Sequence, residues 1–320
     1  MREALFTDET EETESGPVRF NILVCIDGSE ESERGLKYAV KIGQGNDADI
    51  TLLHVRPVDK GMKYGVDLAR QNMLDWGIEL PGMRALKAAR DQLFELGFLD
   101  GDWSEEETRK RVYGDPIGDV MKTYTDKNDT HIALKSMVAP TIASGILDEC
   151  ELNHYDLTII AMHGKGGKNV RGEIKWGTTR TVVTEHHGTV LLARDIEENH
   201  GHLICVNDEK SIEAARQDAI LASRCQCPVY LLSVAETEDD LDAAKDAIAK
   251  ARTAIEAAGV EVVDTWTDIG NARDIIIERG KDFSVIVMAD SSVKGFRRFF
   301  QSSVAYYVLQ HAFNSVMIIR

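Results

Sequence analysis

The stretch Asp156–Gly167, DLTIIAMHGKGG, decides the fold of this 320-residue chain. An uninterrupted apolar run is typical of a strand that is buried on both faces of a parallel sheet, and glycines after it allow close backbone approach. Ten residues later come Gly177-Thr178-Thr179, then a helical segment and a second apolar run, Thr189–Ala193. The order strand, loop, helix, strand predicts an α/β unit built on a parallel sheet.

The same unit recurs near the end of the chain without its glycines. Phe283–Ser292, FSVIVMADSS, is followed by Ser302-Ser303 and a closing strand, Val316–Arg320. Asp290 adds a negative charge beside this second loop, and Asn207 stands where Asp27 stands in the first copy. This difference predicts that the first copy holds a ligand and that the second serves mainly as a pairing partner.

Composition excludes several classes of protein. The hydrophobic content of 43% is ordinary for a globular chain, and no apolar run is long enough to cross a bilayer. A net charge of −17 disfavours general binding to nucleic acid or to an anionic membrane. The five cysteines are too sparse for a disulfide framework, so we expect a reducing, cytoplasmic location.

Alternating strands and helices predict two tandem, doubly wound parallel-sheet domains. Residues 1–17 are acidic and are predicted to form a disordered tail. The first domain is expected to span 18–196, with an insertion at about 58–130, and the second to span 200–320. The closing strands of the two domains are expected to lie near each other and to pair the domains within the chain.

The insertion is predicted to form a lid or a dimer-contact element. Apolar residues at helical spacing predict a helix over Met83–Phe98, and a short helix is expected around Ile117–Tyr124. Three aromatic residues suggest a small accessory core or a contact surface: Trp76, Phe94 and Trp103.

The loop between the first two apolar runs fits a phosphate. An anion needs unblocked backbone N–H groups and a helix N-terminus, and Thr178 is placed to cap that helix with its hydroxyl. Glycines leave the approach open at positions 164, 166, 167 and 177. From His163 to Arg180 there are five Lys or Arg residues and one Glu, in a chain that is otherwise strongly acidic. A basic surface loop without a ligand is the alternative.

Weaker signals are expected to be structural. We predict that His186-His187 and His200-Gly201-His202 lie on the surface, and that Cys225-Gln226-Cys227 holds ordinary core or pre-strand residues rather than metal ligands.

The chain resembles the universal stress protein family. The resemblance rests on Asp156–Gly167, Gly177-Thr178 and Gly188–Leu192, and on the opening segments Ile22–Ser29 and Leu52–Val55. It covers nearly the whole chain as a tandem, with 58–130 poorly matched. ATP-binding members carry Gly, two residues, Gly, nine residues, and then Gly-Ser or Gly-Thr. Gly164, Gly167 and Gly177-Thr178 satisfy that spacing, whereas aligning the strand ends instead places Ala161 and Gly164 at the first two positions.

This resemblance implies a stress-response or signalling module that binds ATP or another adenine nucleotide, with or without Mg²⁺, in the first domain only. Asp27 would then meet the ribose or adenine side, and the backbone of Val55 would contact the base. The implied phosphate residues are Ala161, Gly164, Lys165, Gly167, Gly177, Thr178 and Thr179. The alternatives are a weak hydrolase of the adenine nucleotide alpha hydrolase type and a ligand-free interaction scaffold. A homodimer is also left open.

Overall fold

The computed structural model describes residues 19–29, 31–58, 81–98, 102–112, 115–161, 176–194, 201–290 and 303–320, together with residues 72, 76 and 79. The predicted acidic tail, 1–17, lies outside them. The strands are β1 (Phe20–Cys25), β2 (Ala48–Pro57), β3 (Ser104–Val112), β4 (Asp115–Thr125), β5 (His131–Ala139), β6 (Leu157–Ala161), β7 (Val190–Ala193), β8 (His202–Cys205), β9 (Val229–Ala235), β10 (Val262–Ile269), β11 (Val285–Ala289) and β12 (Ser315–Ile319). The helices are α1 (Glu31–Gly45), α2 (Pro81–Glu95), α3 (Ile142–Leu152), α4 (Trp176–Glu185), α5 (Glu209–Arg224), α6 (Leu241–Ala257), α7 (Ala272–Gly280) and α8 (Val304–His311).

The strands form one continuous sheet in the order β10-β9-β8-β11-β12-β7-β6-β1-β2-β5-β4-β3. The five adjacent strands from β10 to β12 are parallel to one another, and so are the five adjacent strands from β7 to β5. Central strands such as Leu157–Ala161 are buried along their whole length, which explains why they are apolar without alternation. The predicted α/β fold with two tandem parallel-sheet units is therefore confirmed.

Helices cover both faces of the sheet, as expected for a doubly wound fold. One hydrophobic core includes residues of α1, α2, α5 and α6, and a second core includes residues of α3, α4, α7 and α8. Both cores extend through both halves of the chain. None of the helices within the described ranges combines the length and apolar character that a bilayer crossing requires.

The two halves, residues 19–194 and 201–320, meet where β7 and β12 pair antiparallel. Leu191 lies opposite Met317 at the centre of this pairing, and both side chains are fully buried. The expectation that the closing strands pair the two halves is confirmed. Because β7 and β12 are the last strands of equivalent units, the two halves are related as a pseudo-dimer within one chain.

An arginine at the end of each closing strand reaches across this pairing. Arg194 donates from Nη2 to the carbonyl of Leu309 (2.7 Å) and from Nη1 to that of Asn314 (2.9 Å). Arg320 donates to the carbonyls of Val183 and, at 3.4 Å, Gly188. Each guanidinium therefore satisfies carbonyls near the end of the other half's last helix, where cations are favoured by the helix dipole.

Arg320 also pairs with Asp290, at 2.8 Å between Nε and Oδ2, and each side chain is only 10% exposed. The negative charge predicted beside the second loop is thus offset by an ion pair across the end of the sheet.

The region 58–130 differs from the prediction in part. The helix expected over 83–98 is present as α2, and Phe94 stacks on Trp103 with ring centroids 5.2 Å apart. The short helix expected at Ile117–Tyr124 is wrong, because that segment belongs to β4. Strands β3 and β4 form an antiparallel hairpin that adds two strands to the sheet beyond β5. Trp76 is 74% exposed and does not share the accessory core.

Tertiary contacts explain why this segment is a strand. β4 is paired on both sides, by β3 and β5, and sheet pairing of this kind overrides local helical spacing. Asp115 forms a two-pronged ion pair with Arg56 at 2.6 and 2.9 Å, and Asp119 accepts the N–H of Val138 at 2.8 Å. The outer strand β3 carries the charged sequence SEEETRKRV, which protects an exposed sheet edge from pairing with other chains.

Candidate functional site

The carboxyl ends of β1 and β6 form the switch point of the N-terminal half. From β1 the chain winds outward through β2 to β5, whereas from β6 it winds in the opposite direction to β7. Ligands of open α/β sheets bind in the crevice where the connections diverge in this way. Asp27 follows β1, Ala161 ends β6 and Val55 lies near the end of β2, so the sheet brings these three predicted residues to one edge.

The turn at Asp27 is fixed by its own hydrogen bonds. The Oδ1 of Asp27 accepts from the Ser29 N–H (3.0 Å), the Ser29 hydroxyl (2.6 Å) and the Ser32 hydroxyl (2.7 Å). Gly28 has a φ of +83°, a backbone conformation that favours glycine. The Asp27 carboxylate is therefore held in place at the start of α1, at the rim of the crevice.

His54 ties the ends of β1 and β2 together beside Val55. Burial lowers the pKa of His54, which favours the neutral ring, and its Nδ1 lies 2.8 Å from the carbonyl of Ile26. A carbonyl only accepts, so Nδ1 is the protonated nitrogen. A Cβ at Gly82, in the first turn of α2, would overlap this ring. Helix α2, predicted as part of the insertion, thus packs against the end of the sheet next to the crevice.

Helices α3 and α1 pack against the strands that carry Val55 and Ala161, and only the approach of α3 at Gly145 is too close for a side-chain carbon. A Cβ at Gly145 of α3 would lie 2.5 Å from Cγ1 of Val55, and one at Gly35 of α1 would lie 3.7 Å from Cβ of Ala161. The close approach of α3 fixes the position of Val55, which is 6% exposed.

The predicted phosphate residues at the start of α4 are described, and those of the loop before it are not. Helix α4 begins at Trp176, so Thr178 lies inside its first turn and the prediction that Thr178 caps the helix is wrong. A Cβ at Gly177 would have no atom within 4 Å among the described residues. Thr179 is fully buried, so it lies within the packing of α4 rather than on an exposed surface. Gly164, Lys165 and Gly167 lie outside the described residues.

The equivalent crevice of the C-terminal half is a cavity of about 170 Å³ at the ends of β8 and β11. Its polar groups are already used locally. Ser303 caps α8 by accepting the N–H of Tyr306 at 3.1 Å, and Asp208 caps α5 by accepting that of Ser211 at 2.8 Å. The Oδ1 of Asn207, which stands where Asp27 stands, accepts the Ser211 hydroxyl at 3.2 Å.

Two histidine predictions are wrong. His186 and His202 are buried rather than on the surface, at 8% and 5% exposure, whereas His187 is exposed. His202 forms an ion pair with Asp218, which is 1% exposed, and a histidine inside a core requires such a partner. Within the described part of the chain, no three His, Cys, Asp or Glu side chains are grouped to hold a metal ion.

His54, Gly82 and Gly145 were missed by sequence reasoning. His54 was visible beside Val55, but only the fold shows that its ring reaches the end of β1. The two glycines sit in helical segments, where a glycine costs stability and so indicates a close approach.

Comparisons with known proteins match both halves of the chain. The Universal stress protein family matches residues 19–170 and 202–320. No curated protein sequence matches the chain. A universal stress protein structure from Archaeoglobus fulgidus DSM 4304 is 13% identical, covers 94% of this chain and 98% of its own, and has a TM-score of 0.62. A putative universal stress protein from Pseudomonas aeruginosa UCBPP-PA14 is 14% identical, covers 93% and 92%, and has a TM-score of 0.58.

Proposed function

Because the chain belongs to the universal stress protein family, we propose that its N-terminal half binds an adenine nucleotide such as ATP, and that the occupied protein acts as a stress-response module. The observation that supports the proposal is that Asp27 follows β1 and Ala161 ends β6, two adjacent parallel strands at the switch point of the N-terminal half. The free thiols of all five cysteines support a reducing, cytoplasmic location.

In the proposed complex, each part of a nucleotide is assigned to one group at this edge of the sheet. The Asp27 carboxylate suits sugar hydroxyls, because a carboxylate only accepts hydrogen bonds and hydroxyls donate them. The backbone of Val55 suits a base edge. Gly177 and Thr178 lie in the first turn of α4, and the helix dipole favours an anion at a helix N-terminus.

The basic loop before α4 would complete the phosphate site. We assign this role to Gly164, Lys165 and Gly167, with Mg²⁺ as an optional companion of the phosphates. Because Gly177 has no side chain of its own, an oxygen anion can approach the backbone closely at this position.

The C-terminal half is proposed not to hold a nucleotide in this way. Its helix start carries Ser303, whose side chain is engaged as the cap of that helix. Asn207 replaces the Asp27 carboxylate with an amide, which carries no charge and accepts at one oxygen only.

Matched substitutions in the two halves test the proposal. Asp27→Ala and Asn207→Ala each remove one side chain after the first strand of a half, and each loses local bonds to serines. Nucleotide released from freshly purified protein should be found by mass spectrometry for the wild type and Asn207→Ala, and should be lost for Asp27→Ala. Equal retention by both variants, or absence of bound nucleotide together with no ATP or ADP binding at millimolar concentration, would contradict the proposal and favour a ligand-free scaffold.

A further inference from the structure

Cys227 differs from the other four cysteines by its surroundings. It lies in the turn between α5 and β9, two residues after Cys225, and both side chains are partly exposed. Gln226 between them has a φ of +57°, so the chain turns sharply here, and the Sγ of Cys227 lies 3.7 Å from the carbonyl oxygen of Cys225. Cys25 and Cys205, in contrast, are buried.

A buried histidine and a buried aspartate stand behind this sulfur. The Nδ1 of His202 lies 2.9 and 3.1 Å from the two carboxylate oxygens of Asp218. The backbone N–H of His202 donates to the carbonyl of Pro228 at 2.9 Å, so His202 lies beside the turn that carries Cys227, and the two side chains are close enough to interact electrostatically. Because Nδ1 of His202 faces Asp218, Nε2 is the ring nitrogen that can face the sulfur of Cys227. The order carboxylate, imidazole, sulfur is the arrangement in which a base and its orienting group activate a thiol.

The charges of this cluster favour a thiolate. Burial alone would lower the pKa of His202, but the charge and hydrogen bond of Asp218 outweigh it and raise that pKa to about 10. Burial would raise the pKa of Cys227, but the hydrogen bond and charge of His202, together with the nearby Lys41, lower it below its ordinary value.

The other cysteines shift in the opposite direction. Burial raises the pKa of Cys150 to about 11 and that of Cys205 to about 12, and it raises the pKa of Cys25 as well. Burial and the neighbouring Cys227 raise the pKa of Cys225 to about 12. Cys227 is therefore the one of the five thiols whose pKa is lowered, and thiolate rather than thiol is the reactive form.

We propose that Cys227 is a nucleophilic thiolate, held by His202 and Asp218, which hydroperoxides oxidise to a sulfenic acid. The sulfur attacks the terminal oxygen of ROOH, an S–O bond forms and the O–O bond breaks. Sulfur loses two electrons to the peroxide, and the leaving RO⁻ takes a proton from the His202 imidazolium or from water. The products are Cys–SOH and ROH. The thiol of Cys225 is the nearest resolving group in sequence, and its condensation with Cys–SOH would release water and form a disulfide.

This turn also touches the N-terminal half. The Sγ of Cys225 lies 3.7 Å from Nδ2 of Asn46, and Nη1 of Arg224 donates to Oδ1 of Asn46 at 3.1 Å. A Cβ at Gly45 would lie 2.7 Å from the carbonyl oxygen of Arg224, so the contact is tight. Oxidation at Cys227 would therefore take place next to a contact between the two halves.

Alkylation of the full chain tests the nucleophile. Limited iodoacetamide at pH 7, followed by peptide mass spectrometry, should modify Cys227 at least about tenfold faster than Cys150, because a thiol of ordinary pKa is only a few per cent thiolate. Asp218→Asn and His202→Gln should slow Cys227 by about tenfold. His186→Gln is the matched control: the Nε2 of His186 lies 3.3 Å from Oγ1 of Thr158 beside Cys150, and the Cys227 rate should not change.

A second measurement keeps the proposal testable if the core variants do not fold. The wild-type rate at Cys227 should reach half of its maximum at a pH below about 8.5, the ordinary thiol pKa. In Cys225→Ser, where the sulfenic acid is not resolved by Cys225, hydrogen peroxide should produce dimedone adducts at Cys227 first. An unshifted pH profile, equal rates at Cys227 and Cys150, or first oxidation at another cysteine would overturn the proposal.

Discussion

Arg320→Met should destabilise the protein strongly, because Arg320 joins the two halves. The substitution removes the 2.8 Å ion pair with Asp290 and the hydrogen bonds to the carbonyls of Val183 and Gly188, while keeping a long apolar side chain. With both partners of the pair only 10% exposed, solvent screens the interaction little. Removal of one partner from a buried pair costs about 3–5 kcal/mol, mostly because the other charge stays buried.

Urea unfolding followed by far-UV circular dichroism measures this loss. The double variant Asp290→Asn/Arg320→Met should be more stable than Arg320→Met alone, because it removes the charge that the single change leaves behind. Arg216→Met is a control: Arg216 makes a 2.7 Å pair with Glu213 on the surface of α5, and its removal should not change stability measurably. Unfolding of Arg320→Met at the wild-type urea concentration would refute the idea that Arg320, through its ion pair with Asp290 and its bonds to the N-terminal half, stabilises the fold.

Three further predictions follow from single sites. Gly177→Val should leave the free protein as stable as the wild type, since its Cβ would have no atom within 4 Å among the described residues. It should weaken ATP binding about tenfold to a hundredfold in calorimetry by blocking charge-assisted bonds worth about 1.5–3 kcal/mol. Gly145→Ala should destabilise the protein by about 1–3 kcal/mol in urea unfolding, because its Cβ would lie 2.5 Å from Val55, and an unchanged stability would show that α3 shifts freely. The wild type should unfold with a larger free energy than Asp218→Asn, and this difference should be greatest below pH about 6.5 and decrease toward pH 10. The reason is that the pKa of His202 in the folded protein is raised to about 10. A difference in unfolding free energy that grows with pH would contradict the ion pair.

The parallel strands and their helices were predictable because they depend on local patterns. Leu157–Ala161 is apolar without alternation since both of its faces are covered, and the sequence shows this directly. The contact of the two halves through β7 and β12 was predictable from the position of each strand at the end of its unit. The sequence did not predict the register of that pairing or the side-chain contacts across it, such as those of Arg194 and Arg320. These contacts join residues more than 100 positions apart.

The hairpin β3–β4 and the buried histidines were mispredicted for a related reason. A segment such as Ile117–Tyr124 has apolar residues that suit either a helix or a strand, and only pairing with β3 and β5 decides between them. His202 appears polar in the sequence, and its burial depends on Asp218 at a helical position 16 residues away. Asp27, Val55 and Ala161 lie at the carboxyl ends of neighbouring parallel strands, as the strand pattern predicted, but α4 begins at Trp176, so Thr178 lies in its first turn rather than at its cap.

Photo-crosslinking with 8-azido-ATP tests most directly whether the nucleotide lies in the N-terminal half. Peptide mapping of the labelled full chain should find the crosslink in segments around β1, β2 or α4, with one label per chain and loss of labelling in excess ATP. Labelling confined to peptides from residues 201–320 would contradict the assignment.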